Sequence, residues 1–80
     1  MPMVAEKRKI LIVDDETDVV ETIDTILTEE GFETHVSRNG KDALLKVQEL
    51  SPELVLLDCY LPEMMGIEVL REIRKLSEEI

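Results

Sequence analysis

The chain has 80 residues, of which 44% are hydrophobic, 35% charged and 2% aromatic, and its formal net charge is −10. That length allows one domain, which on folding buries only about 60 to 65% of the surface its unfolded chain exposes, while the apolar share is too high for a disordered tail. The acidic balance argues against nucleic-acid backbones and anionic lipid as direct partners, and a single cysteine, Cys59, excludes an internal disulfide and a cysteine zinc site.

Residues 1–8 are expected to be a tail, with Lys7, Arg8 and Lys9 forming a small basic cluster. Ile10-Leu11-Ile12-Val13 is a continuous apolar run, the pattern of a strand buried on both faces of a parallel sheet, and it ends in Asp14-Asp15. From Glu16 to Glu30, Val19, Val20, Ile23, Ile26 and Leu27 fall at the spacing of one helical face, with Gly31 as a C-terminal stop. Phe32 to Ser37 alternates weakly and suits a shorter strand near a sheet edge. Gly40 to Leu50 places Ala43, Leu44, Val47 and Leu50 on one stripe before Ser51-Pro52 ends it. Leu54 to Leu57 is a second continuous apolar run, ending in Asp58, and Cys59 to Gly66 is a loop punctuated by Pro62 and Gly66. After it Ile67, Val69, Leu70, Ile73 and Leu76 recur at helical spacing. No segment approaches the roughly 18 apolar residues of a membrane span, and Met1 to Lys9 lacks the apolar stretch of a secretory signal, so the expected setting is the cytoplasm.

Three alternating strand-helix units imply an α/β fold with a parallel sheet, the first helix on one face and the second on the other. If the doubly apolar runs are central and the polar strand is at the edge, the order is 2-1-3. Asp14, Asp15 and Asp58 then converge at the carboxyl edge, where open α/β sheets place ligands. Singly, these acids have ordinary readings: Asp caps helices, acids suit the positive end of a helix dipole, and strands often end in a polar turn residue. Together they repel one another unless a cation or hydrogen bonds compensate. Magnesium suits such a site, being hard, oxygen-seeking and inclined to keep waters that a phosphate can replace, and a carboxylate beside it can act as a nucleophile toward phosphorus.

With its strands ending in Asp14-Asp15 and Asp58, and with Pro62 four and Gly66 eight residues after Asp58, the chain resembles the receiver domains of two-component response regulators from Lys9 to about Leu76. The resemblance implies a flavodoxin-like sheet and a phosphoacceptor that is not itself an enzyme. It assigns Asp58 as the phosphoacceptor, Asp15 as a direct magnesium ligand, Asp14 as a ligand acting mainly through water, and the Tyr60 backbone carbonyl as a further ligand. It implies a histidine kinase or phosphotransfer protein as partner. Pro62 and Gly66 would shape the loop, by fixing φ and by permitting a tight turn.

The sequence also departs from the family. A receiver has five strand-helix units and this chain holds three, so residues 1–80 are expected to be a single truncated receiver-like domain lacking units four and five. No residue matches the strand-four Ser or Thr, the strand-five Lys or the aromatic reporter of activation, which predicts retained magnesium binding with impaired phosphorylation. Strand three becomes an edge, and exposing several hundred Å2 of apolar surface there costs on the order of 10 kcal/mol, comparable with a domain's whole stability. A homo-oligomer formed through the strand-three edge, or by exchange of the last helix, would cover it. The rival from another class is a self-associating interaction module without phosphotransfer. An aspartyl phosphatase fits less well, because the position two after Asp14 is Glu16, and a flavin half-domain is disfavoured because the first loop lacks a hydroxyl- and glycine-rich phosphate cradle. His35 lies on the strand remote from the acids, Cys59 is expected to point into the core, Met64 and Met65 suit loop packing, and Arg71, Arg74 and Lys75 suit a solvated helix face.

Overall fold

Six elements succeed one another in residues 7–80, the part of the chain this computed structural model describes: β1 (Lys9–Val13), α1 (Thr17–Glu29), β2 (Glu33–Ser37), α2 (Gly40–Leu50), β3 (Leu54–Leu57) and α3 (Gly66–Leu76). Residues 1–6 of the expected tail lie outside the described residues. The strands form one parallel sheet in the order β2-β1-β3, with Ile12 of β1 in register with Val36 on one side and Leu56 on the other. The order agrees with the sequence pattern, because only a central strand buries a continuous apolar run on both faces.

Alternation along β1 divides the core into two layers. Ile10 and Ile12 face α1 and pack with Val20, Ile23 and Leu27. Leu11 and Val13 face the opposite way and join Ala43 and Val47 of α2, Leu61, and Val69 and Ile73 of α3. Helix α1 therefore covers one face of the sheet, and α2 and α3 cover the other. The apolar stripes bury less than their periodicity suggests. Val19 and Ile26 of α1 are 37% and 54% exposed, and Ile67, Leu70 and Leu76 of α3 are 53%, 41% and 47% exposed. A helix lying on a three-stranded sheet meets it along one seam, and residues flanking that seam need a further element to cover them.

The helix ends follow local chemistry. In α1 the Glu30 amide donates to Ile26 O, and Gly31 at φ +96° carries the chain out in a left-handed conformation that costs glycine little. Helix α2 starts at Asn39, whose Oδ1 accepts from the Asp42 amide at 2.8 Å, and ends at left-handed Ser51, with Pro52 barring continuation.

Lys46 ties α2 to the sheet edge, pairing with Asp42 at 3.0 Å and donating to the Val36 carbonyl. Lys46 first, and Ser37 second, hold the Asp42 carboxyl below its ordinary value of 3.8, although the buried Ser37 hydroxyl falls outside normal hydrogen-bond geometry. Because the folded value is depressed, this contribution is present above pH 3.8 and is lost as pH falls through the folded value. Solvent screening keeps it to about 0.5 kcal/mol or less. Urea titrations of the parent and Lys46→Met should differ most at neutral pH, and the difference should shrink as pH falls below 3.8.

Candidate functional site

The sheet itself delivers the three acids to one place. Beyond β1 the Asp14 amide donates to Ser37 O at 3.0 Å, and beyond β3 the Asp58 amide donates to Val13 O at 2.9 Å, so both residues are fixed as extensions of the ladder. Carboxylate oxygens of Asp14, Asp15 and Asp58 lie within 4.8 Å of one another, with Asp14 and Asp58 half-buried and Asp15 exposed. Asp14 also shapes the turn into α1: its Oδ1 accepts from the Glu16 amide at 2.9 Å. The N-cap position of α1 belongs to Glu16, whose side chain makes no capping bond, so neither aspartate is a helix cap in the usual sense.

The loop after β3 wraps against Asp58. The Tyr60 amide donates to Asp58 Oδ1 at 3.4 Å, bringing the Tyr60 main chain beside the cluster while its ring is 75% exposed. Gly66 closes the loop by donating its amide to Cys59 O at 2.9 Å. A Cβ at Gly66 would lie 2.3 Å from Asp58 O and 2.9 Å from the Cys59 Cα, so only glycine allows α3 to begin this close to the strand end. Between them Glu63 sits at φ +66°, in a tight turn that the Met64 amide closes onto Pro62 O at 2.7 Å. Met64 packs toward Gly40 at the start of α2, as loop packing requires.

Cys59 corrects the sequence reading. It is exposed, and Leu61, at 8% exposure, takes the core position instead. The chain turns immediately after Asp58, which swings the next side chain outward and lets the third residue plug the core. His35 lies mid-strand opposite Leu11, short of the acid edge, and pairs with Glu33 at 2.7 Å. That hydrogen bond is the main cause of a Glu33 carboxyl held below its usual value.

Three carboxylates this close repel one another by about 1 kcal/mol per pair at water-like screening. Their hard oxygen donors suit a small divalent cation that keeps several waters. A depression of about 270 Å3 opens beside Asp14 and Asp58 and is otherwise lined by Ile12, Val13, Ile23, Leu56 and Leu57. The site can therefore hold a divalent ion and present a carboxylate to an oxyanion.

Comparison with known proteins decides the family: the response regulator receiver domain model matches residues 10–80. The chain belongs to that family. The transcriptional regulatory protein CpxR homolog of Haemophilus influenzae is 48% identical over 69 residues, an alignment covering 86% of this chain and 30% of that protein. A chain in the crystal structure of histidine kinase ThkA in complex with response regulator protein TrrA superposes with a TM-score of 0.84 at 40% identity, over 90% of this chain and 62% of that one. A chain of the CheX-CheY-BeF3-Mg2+ complex from Borrelia burgdorferi gives a TM-score of 0.81 at 32% identity, over 89% of this chain and 55% of that one. The chain thus spans about 30% of this curated relative and somewhat over half of each matched structure.

Sequence reasoning brought Asp14, Asp15 and Asp58 together correctly, and it missed what holds them. Ser37 anchors Asp14 through its backbone carbonyl, which no side-chain motif announces. Asn39 was legible in principle, since Asn three residues before Asp42 is a capping signature for α2. The receiver domain has no helix among its described residues long and apolar enough to cross a membrane.

Proposed function

We propose that this receiver domain accepts a phosphoryl group on Asp58 in two-component signalling, with magnesium held at the acid cluster. The observation that carries the reading is the convergence of Asp14, Asp15 and Asp58 at adjacent strand ends. Asp15, the exposed member, serves as a direct ligand. Asp14, with one oxygen committed to the Glu16 amide, acts mainly through water, and the Tyr60 carbonyl completes the protein's share. When bound, magnesium supplies positive charge that offsets the carboxylates and steadies the phosphoryl oxygens.

The donor is a phosphohistidine of a histidine kinase or phosphotransfer protein. An Asp58 oxygen forms the new O–P bond as the P–N bond breaks, and the departing imidazole takes a proton from solvent. The matched complex of a histidine kinase with a response regulator supports this class of partner, and the matched CheX-CheY-BeF3-Mg2+ complex supports this chemistry.

A second reading, self-association as an interaction module, rests on a different observation: among the described residues β3 pairs on one side only and is bordered by exposed Leu54, Ile67 and Leu70. Copies could join through that edge or by exchanging α3. Incubation with acetyl phosphate and magnesium, followed by mass spectrometry, tests the first reading. Gain of one phosphoryl group mapped to Asp58 supports it, whereas magnesium binding without any aspartyl phosphate leaves the interaction module as the function.

A further inference from the structure

We infer that Lys46 and Asp42 of α2 are positioning residues for the acid site, fixing, through Ser37 at the end of β2, the place from which Asp14 presents its carboxylate to a divalent cation. The inference rests on the magnesium reading above and adds to it residues that touch neither the cation nor the phosphoryl group.

The two strand-end acids are anchored unequally. The Asp58 amide donates to Val13 O of β1, the central strand, which has a neighbour on each side. The Asp14 amide donates at 3.0 Å to Ser37 O, and among the described residues β2 pairs with β1 alone. A strand end held from one side opens more readily than one held from two. Magnesium demands near-ideal octahedral geometry, so slack at Ser37 would reach the cation through Asp14.

Helix α2 supplies the second hold. Ser37 O faces β1, so the preceding carbonyl, that of Val36, faces away from it, and the Lys46 ammonium donates to that oxygen. Ser37 is 1% exposed and in register with Val13, whose side chain faces α2, and its hydroxyl lies beside the Asp42 carboxylate. Lys46 and Asp42 pair at 3.0 Å, so one ion pair meets the end of β2 at both the main chain and a side chain.

An ion pair four residues apart on a helix ordinarily just supports that helix. Here the lysine also reaches off the helix to a strand, which helix support does not require. The base it reaches from is firm. Asn39 Oδ1 accepts from the Asp42 amide at 2.8 Å. A Cβ at Gly40 would lie 2.6 Å from Met64 Sδ and 2.8 Å from Val69 Cγ2, so the first turn of α2 is wedged against α3 and against the loop that follows Asp58.

Titration of isotope-labelled protein with magnesium chloride, followed at the backbone amides by NMR, tests the inference. Lys46→Met should weaken magnesium binding about threefold or more, short of the roughly tenfold or greater loss that removing a group in contact with a metal ligand brings. Lys46→Arg keeps a charged donor within reach of both oxygens and should restore most of the affinity. Asp42→Asn should act in the same direction and add little to Lys46→Met, because the two side chains work as a unit. Without magnesium, Lys46→Met should speed hydrogen exchange at the Asp14 amide about tenfold relative to the Asp58 amide. A general weakening of the fold would speed both amides together. Equal magnesium affinity in the parent and Lys46→Met, or equal quickening of the two amides, overturns the inference and leaves the magnesium reading in place. No magnesium binding by the parent overturns that reading and this inference with it.

Discussion

Asp58→Asn should lower phosphate incorporation from acetyl phosphate by a factor on the order of 100 or more, because the amide that replaces the carboxylate has neither the charge nor the free lone pairs of a nucleophile. Asn is close to Asp in shape, so the amide bond to Val13 O and the turn at Tyr60 should persist. Any fall in phosphate uptake is then chemical and not a loss of fold. The same change removes one of three mutually repelling charges, so the variant should be as stable as the parent or slightly more so without magnesium. Magnesium should bind about tenfold more weakly or worse, and the rise in melting temperature on adding it should shrink accordingly. Mass spectrometry, calorimetric titration with magnesium chloride and thermal melts in its presence and absence read these effects. Undiminished phosphate uptake by the variant would remove Asp58 from the role of acceptor.

Gly66→Ala should harm both fold and site, by an effect out of proportion to one methyl group. The new carbon would lie 2.3 Å from Asp58 O, a backbone atom that cannot swing away as a flexible side chain would. Either α3 withdraws, breaking the Gly66 amide bond to Cys59 O, or the Asp58 backbone shifts. Overpacking of this kind costs about 1–3 kcal/mol, a large part of the stability available to 80 residues. Since Asp58 belongs to the cluster, magnesium affinity should fall with it. Gly31→Ala is the matched control. Its Cβ would meet nothing within 4 Å, but φ +96° is unfavourable for alanine, so about 1 kcal/mol should be lost with magnesium affinity unchanged. Equal affinity in the two variants would mean that the start of α3 does not position Asp58.

The apolar runs at Ile10–Val13 and Leu54–Leu57, the weaker alternation at Phe32–Ser37 and the helical stripes between them were enough to set three parallel units in the order 2-1-3. That is possible because burial on two faces, burial on one, and helical packing impose different periods on a sequence. The convergence of the acids followed from the same logic, since parallel strands end at one edge of the sheet. The meeting of Asp14, Asp15 and Asp58 was therefore legible before any contact was known.

Tertiary structure alone decided which apolar residues are covered and what holds the acids in place. Val19, Ile26, Ile67 and Leu70 share helical faces with core residues and are nevertheless exposed. Periodicity records the side of a helix a residue occupies, but not the width of the surface opposite. Cys59 points outward because the chain turns at Asp58, and Asp14 is pinned by the backbone of Ser37, not by a side chain. Lys46 of α2 reaches the Val36 carbonyl on β2. These features arise where residues distant in the chain meet, and a local pattern carries no record of such meetings.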